Sequence, residues 1–197
     1  VFVSFCKGKI NSLPWCEIPL AIESQQISSD LINFNELGFF TINSQPKVNG
    51  APSEDVEVGW GGPGGRVYQK AYLEFFTSRD KLDGLLKSME STDNISYQAI
   101  NVDGDLITNL LENSVMAVTW GIFPGKEVIQ PTIVDARSFL IWKDEAFSLW
   151  MDDWASIYKA KSESYEIIKE IYDTYYLVNV VDNDYVAGNM LQQILKS

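Results

Sequence analysis

The sequence predicts an α+β fold, with mixed β-sheets flanked by helices in a single domain. Segments rich in β-branched and aromatic residues predict strands, and segments with apolar residues at helical spacing predict helices. The two kinds of segment do not alternate strictly, as they would in a βαβ protein. The 197 residues, of which 46% are hydrophobic, suffice for one domain with a substantial core. We therefore treat residues 1–197 as one domain.

The N-terminal part begins with an apolar run at residues 1–5 that lacks an initiator Met, so we expect the domain to be N-terminally incomplete. Residues 13–20 contain two prolines and predict an ordered loop. A helix with a serine N-cap is predicted from Ser28 or the next residue to a stop at Gly38, and it leads into a strand at residues 39–43. The apolar face of this helix consists of Leu31, Phe34 and Leu37.

A long, ordered loop is predicted next, followed by one strand at residues 67–75. Order is expected because Trp60, a large apolar ring in a glycine-rich run, needs a surface to cover. The run at residues 59–65 lacks the Lys-Ser/Thr of a P-loop and precedes a strand, so we interpret it as a tight turn.

The remaining chain alternates between both kinds of element. Ser78 caps a predicted helix with an apolar stripe made of Leu82, Leu85, Leu86 and Met89. Turn signals stand at Asp103-Gly104 and at residues 123–125. The other predicted elements are strands at 94–102, 115–120 and 176–181 and helices at 139–157, at 163–174 and from 187.

Composition excludes several classes of function. A formal charge of −12 leaves no basic stripe for phosphates, which argues against nucleic acids and anionic membranes as partners, whereas a cationic or zwitterionic ligand is compatible. No apolar run is long enough for a membrane helix, and no targeting signal is visible. Two cysteines without a partner pattern predict neither a disulfide framework nor a metal site, and a reducing, cytoplasmic compartment fits best.

The sequence contains no histidine, which removes Ser-His-Asp and Cys-His catalysis. An enzyme built from this chain alone would depend on carboxylates, Lys or Tyr. The acidic residues at 144–145 and 152–153 fall on one predicted helix, and nothing places two of them across a cleft. We therefore predict no catalytic residue here.

Small hydroxyl side chains at strand ends form the more informative set. Such positions are occupied by Thr41, Ser44, Thr119 and Thr132. Upstream of them, Glu23 is the one charged residue in the segment 19–24. Hydroxyls of this kind are usually satisfied by nearby backbone groups. Together with one acid they are also suited to line a polar pocket.

Several long motifs then resemble the C-terminal regulatory domain of eukaryotic methylenetetrahydrofolate reductase. The resemblance covers nearly the whole chain. The motifs are LPW at residues 13–15, PLA at 19–21 with ES at 23–24, TINSQP at 41–46, GWG at 59–61, YQKAYLEFF at 68–76, AVTWGIFPG at 117–125, QPT at 130–132, WKDEAF at 142–147 and LVNVVDND at 177–184.

The resemblance implies a function for the whole protein that this chain alone does not perform. In the family, an N-terminal (β/α)₈ barrel carries FAD and reduces methylenetetrahydrofolate with NAD(P)H. The regulatory domain binds S-adenosylmethionine, which inhibits the barrel of the same polypeptide, and S-adenosylhomocysteine competes for that site. Family members form homodimers through this domain. The barrel and the linker to it are absent here, so no FAD, NAD(P)H or other cofactor is expected in this chain.

The resemblance also implies a set of ligand contacts. By position these fall on Glu23, Ser24, Thr41, Ser44, Thr119 and Thr132, with Cys16, Ala21 and Ile22 nearby. Ser24 stands where many relatives have Thr, and Cys16 stands where some have Asn.

Two other classes of function stay open. The first is a module of the same enzyme that supports dimerisation and stability but has lost ligand sensitivity. The second is a free-standing carboxylate enzyme, against which the absence of histidine argues.

Overall fold

The computed structural model describes residues 2–11, 20, 22–52, 65–90, 92–109, 120–124, 170–171, 173–183 and 194. Of residues 22–23, 65–69 and 120–124 it describes the backbone alone. In these ranges helices pack on β-sheets, which confirms the α+β class.

A five-stranded sheet forms the centre of the fold. Its strands lie in the order β1-β4-β8-β5-β6. Their bounds are β1 Phe40–Gln45, β4 Tyr72–Thr77, β5 Ile95–Ile100, β6 Leu106–Asn109 and β8 Tyr176–Asp182. β5 and β6 form a hairpin, and the predicted turn at Asp103-Gly104 is confirmed by a positive φ of 80° at Gly104.

A second sheet has three strands in the order β2-β3-β7. Its strands are β2 Val48–Pro52, β3 Gly65–Gln69 and β7 Trp120–Pro124. The chain passes between the two sheets four times, from β1 to β2, from β3 to β4, from β6 to β7 and from β7 to β8.

The described helices include one long helix and three shorter ones. Their bounds are α1 Phe2–Cys6, α2 Ile22–Gln25, α3 Ser28–Glu36 and α4 Arg79–Glu90. The predicted apolar stripe of α4 is confirmed, because all four of its members are buried. α3 ends at the predicted stop, where Gly38 has a φ of 91° and Lys81 donates to the Leu37 carbonyl.

Mixed sheets were predicted, and every strand pairing among the described residues is antiparallel. The reason lies in the position of β8. The helix α4 connects β4 to β5, and those strands run parallel to each other. β8 lies between them and pairs antiparallel with both, so the connection forms a split βαβ unit without parallel neighbours.

Four further predictions about element bounds need correction. The strand predicted at residues 67–75 is two strands, because the chain changes sheet at Lys70 and Ala71. The turn predicted from residue 123 lies partly within β7, which pairs with β3 as far as Pro124. Leu37 is exposed, although the prediction placed it on the apolar face of α3. Ile27 occupies the N-cap of α3 without a side-chain cap, whereas a Ser cap was predicted.

Several predicted elements lie wholly or partly outside the described residues. The long helix at 139–157 and most of the helix at 163–174 belong to this group, although residues 170–171 and 173–174 are helical. The ordered loop at 13–20, the glycine-rich turn and most of the strand at 115–120 also belong to it. The strand predicted at 176–181 is confirmed as β8.

The hydrophobic core lies between the five-stranded sheet and the helices. Leu31 and Phe34 of α3 and the apolar stripe of α4 pack on alternate residues of the sheet. These sheet residues are Leu73, Phe75, Ile95, Tyr97, Ala99, Tyr176, Val178 and Val180. We call this side of the sheet the helix face. Phe34 stacks on Phe39 at 4.3 Å and meets Phe75 edge-on at 4.8 Å between ring centroids.

The opposite side of the sheet is buried at its centre and carries a row of polar side chains. Strand register aligns one residue from each strand across the whole sheet, and the row consists of Asn43, Glu74, Asn179, Gln98 and Thr108. The central member, Asn179, is fully buried and accepts a hydrogen bond from the Tyr72 hydroxyl at 2.9 Å. Its Nδ2 has no hydrogen-bond partner. This is the one unsatisfied amide among the described residues.

A buried ion pair joins the two sheets. Lys47, next to the start of β2, places its Nζ 2.6 Å from Oδ2 of Asp182 at the end of β8, and the two side chains are only 10% and 4% exposed. Lys70, at the passage from β3 to β4, donates to Oδ1 of Asn183. Burial lowers the pKa of Lys70, and the negative charge of Asp182 opposes that shift.

We expect Lys47→Met to lower the free energy of unfolding by about 3–5 kcal/mol, because it leaves the carboxylate of Asp182 buried without its cation. The measurement is urea unfolding. Lys7→Met is the matched control, because Lys7 forms an ion pair of 3.1 Å with Glu36 in which the two side chains are 38% and 52% exposed. That control should change stability by less than about 1 kcal/mol. Equal losses in both variants would contradict the prediction.

Candidate functional site

A bulge in β1 brings two of the predicted site residues to one side of the sheet. In a regular strand, residues three apart face opposite sides. Here Thr41 lies opposite Phe75 and Ser44 opposite Leu73, and the register shifts between Thr41 and Asn43. Phe75 and Leu73 both belong to the helix face. Thr41 and Ser44 therefore share that face.

Ser24 of the short helix α2 lies directly against Ser44. Its Oγ is 3.1 Å from the Ser44 carbonyl oxygen and 2.9 Å from the Ser44 Oγ. The Ser44 carbonyl can only accept, so Ser24 is the donor to that oxygen, and either hydroxyl can be the donor in the contact between the two Oγ atoms. Ser24 is only 2% exposed. The pair ties α2 to β1.

Asn35, near the end of α3, holds Thr41 through both of its amide atoms. Its Nδ2 donates to the Thr41 Oγ1 at 2.7 Å, and its Oδ1 accepts from the Thr41 backbone N–H at 3.2 Å. Nδ2 also donates to the Leu31 carbonyl at 2.8 Å. Asn35 is 6% exposed and has both amide protons and its oxygen engaged. The side chain is consequently fixed in one orientation.

The other predicted site residues are described only in part or not at all. Glu23 and Ile22 belong to α2, immediately before Ser24, but their side chains lie outside the described part of the chain. Cys16, Ala21, Thr119 and Thr132 also lie outside it. The structure thus places Ser24 against Ser44, on the same face of the sheet as Thr41, and ligand contact stays a prediction for every residue of the set.

Sequence reasoning missed Asn35. A signal for it exists, because residue 35 follows Leu31 by four positions and so falls on the buried face of the predicted helix. A short amide side chain on an apolar face requires buried partners. The partner six residues downstream depends on how α3 turns into β1, and periodicity does not describe that turn.

The described residues contain no group of three His, Cys, Asp or Glu side chains that could hold a metal ion. They also contain no helix that is long and apolar enough to cross a membrane.

Comparison with known proteins identifies the family. The model of a family described as "MTHFR, SAM-binding regulatory domain" matches residues 5–197. Methylenetetrahydrofolate reductase (NADH) 1 of Zea mays is 51% identical over 190 residues, which is 96% of this chain and 32% of the maize protein. A probable methylenetetrahydrofolate reductase (NADPH) of Caenorhabditis elegans is 46% identical over 193 residues, covering 95% of this chain and 29% of that protein.

A more distant relative shows the same coverage. Methylenetetrahydrofolate reductase 2 of Schizosaccharomyces pombe is 34% identical over 196 residues, which is 100% of this chain and 30% of that protein. The chain thus spans about a third of the length of the curated relatives it matches. The predicted resemblance is confirmed over nearly all of the sequence, and the chain belongs to the family of S-adenosylmethionine-binding regulatory domains of methylenetetrahydrofolate reductases.

Proposed function

We propose that this chain is an allosteric domain that binds S-adenosylmethionine and thereby inhibits a methylenetetrahydrofolate reductase. The observation that carries the proposal is the convergence of Ser24, Thr41 and Ser44 on one face of the sheet, next to the helix that contains Glu23. These residues were named from the resemblance, and the bulge and α2 bring three of them within one small region.

The ligand chemistry suits these residue types. S-adenosylmethionine carries an α-amino group, a carboxylate, a sulfonium and a ribose diol, so it requires one acid and several small hydrogen-bonding groups. In this proposal Glu23 accepts from the ammonium or a ribose hydroxyl, Thr119 and Thr132 hold the amino-acid end, and Thr41 and Ser44 face the nucleoside. Cys16, Ala21 and Ile22 complete the wall. S-adenosylhomocysteine shares all these groups except the charged sulfonium and would compete for the same site.

The expected affinity follows from a few contacts. A hydrogen bond to a charged group contributes about 1.5–3 kcal/mol, and micromolar binding corresponds to about 8 kcal/mol. Two or three such contacts together with apolar burial reach that value only where the pocket is largely pre-formed. The engaged amide of Asn35 and the Ser24–Ser44 pair supply that pre-organisation.

Inhibition requires a second part of the protein. A ligand shifts an equilibrium only through different affinities for two states, with couplings of about 1–3 kcal/mol. We propose that the second state involves a catalytic barrel of the same polypeptide, which would carry FAD, use NAD(P)H and act in folate one-carbon metabolism and methionine biosynthesis. The protein would be a cytoplasmic homodimer. The reductase names of relatives three times longer than this chain support the proposal.

The first test is calorimetric titration of S-adenosylmethionine and S-adenosylhomocysteine into the protein. We expect micromolar binding of both and an affinity about tenfold lower for Thr119→Val and for Thr132→Val, since each loses one hydrogen bond to the ligand. Thr108→Val is the control, because Thr108 is exposed on β6 at the sheet edge opposite β1, and its affinity should not change.

Unchanged affinity in both site variants would defeat the residue assignment. Absence of heat and of any thermal shift with either ligand would instead select the dimerisation and stability module. A dimer that persists without ligand, measured by light scattering, would then describe its role.

A second test concerns catalysis. We expect the 197-residue chain to oxidise no NADPH in the presence of methylenetetrahydrofolate, because its residues 5–197 match the regulatory domain and the resemblance assigns the reaction to a separate barrel. The measurement is the absorbance of NADPH with and without added FAD. Turnover by the purified chain would contradict the proposal.

A further inference from the structure

We propose that Asn35 is a positioning residue of the ligand site, which makes the Thr41 hydroxyl a dedicated hydrogen-bond donor to the ligand. This inference rests on the proposed function and adds a residue and a direction to it. Neither the motifs nor the predicted contact set includes Asn35.

The orientation of the Asn35 amide is fixed by chemistry. Its two ends contact groups of opposite kind, because the Leu31 carbonyl can only accept and the Thr41 backbone N–H can only donate. Nδ2 must therefore face the carbonyl and Oδ1 must face the N–H. A rotated amide would lose both bonds, so the usual ambiguity between the O and N atoms does not arise.

This orientation decides the role of the Thr41 hydroxyl. The atom that faces Oγ1 at 2.7 Å is Nδ2, which is only a donor, so Oγ1 accepts that bond. Thr41 retains its own hydroxyl proton, and no described group accepts it. The side chain is half-buried, so the proton remains available to a ligand.

The neighbouring Ser44 shares this face, and its Oγ lies 2.9 Å from the Ser24 Oγ, where either hydroxyl can be the donor. A ligand that contacts Thr41 needs an acceptor atom there. A nucleoside or amino-acid moiety supplies such an atom, whereas a purely apolar ligand would leave the Thr41 proton unmatched.

Asn35→Asp reverses the direction of the hydrogen bond to Thr41 at nearly constant shape, and it also removes the donation to the Leu31 carbonyl. The new carboxylate can only accept, so it captures the Thr41 hydroxyl proton that the ligand would otherwise receive. We expect about a tenfold loss of S-adenosylmethionine affinity in Asn35→Asp and a similar loss in Thr41→Val. Titration calorimetry at equal pH and salt gives both values.

A double-mutant cycle separates positioning from general damage. If Asn35 acts through Thr41, Asn35→Asp should lower affinity by less than about twofold in the Thr41→Val background and still by about tenfold in Thr41→Ser, which retains the hydroxyl. Asn33→Asp is the control for added charge, because Asn33 is exposed on the same helix and its affinity should not change.

A second measurement uses the wild-type protein, in case Asn35→Asp does not fold. The assigned side-chain amide resonances of Asn35 in a ¹⁵N spectrum should shift on addition of S-adenosylmethionine, because donation by Thr41 strengthens the bond it accepts. They should not shift in Thr41→Val.

The outcomes are distinct. Additive losses in the cycle, full affinity in Asn35→Asp, or silent Asn35 resonances in a protein that binds the ligand would overturn this inference alone. A wild-type protein that binds neither ligand would overturn the proposed function together with it.

Discussion

The bulge in β1 is the constraint on which the candidate site depends. If β1 continued through Ile42 as a regular strand without the bulge, alternation would send Ser44 to the side of the sheet opposite Thr41. Asn43 would then face α2, and the Ser24 hydroxyl would lose its partner. Because β1 is an edge strand bound only by β4, it can accommodate this irregularity without breaking a second ladder. The edge position and the bulge together explain why polar side chains collect here, beside a core that is otherwise apolar.

The centre of the sheet has the opposite character. β8 lies between β4 and β5 and is buried along its whole length, so a segment from late in the chain completes a unit begun by β4, α4 and β5. The polar row behind this sheet requires register across all five strands, since a slip by one residue would place Asn179 among the aromatic rings of the helix face. The ion pair between Lys47 and Asp182 connects the end of β8 to the residue that precedes β2 in the smaller sheet. The candidate site thus lies on an edge strand of a sheet whose central strand is buried.

The sequence alone predicted an element correctly where a single residue pattern determined that element. The stripe of α4 and the apolar run of β8 belong to this group, because burial on one or both faces produces a readable period. The sequence did not predict the bounds of elements that tertiary contacts determine. Residues 67–75 show no break in pattern at Lys70, yet the chain changes sheet there, and β6 is too short and polar to show strand periodicity. For the candidate site, Thr41 and Ser44 were predicted from the resemblance of long motifs. The proposed positioning role of Asn35 depends on hydrogen-bond directions that only the coordinates provide.

The hydrogen bonds that attach β1 to the helices also fix the surroundings of the Thr41 and Ser44 hydroxyls. Asn35 joins α3 to β1, and Ser24 joins α2 to β1. A ligand that binds at these hydroxyls, as proposed, would stabilise the folded arrangement by a free energy that grows with the logarithm of its concentration relative to its dissociation constant. Its contacts would lie on an edge strand and on two helices beside it, away from the buried strands β4 and β8. The response of the domain to the proposed ligand would therefore begin at α2, α3 and β1.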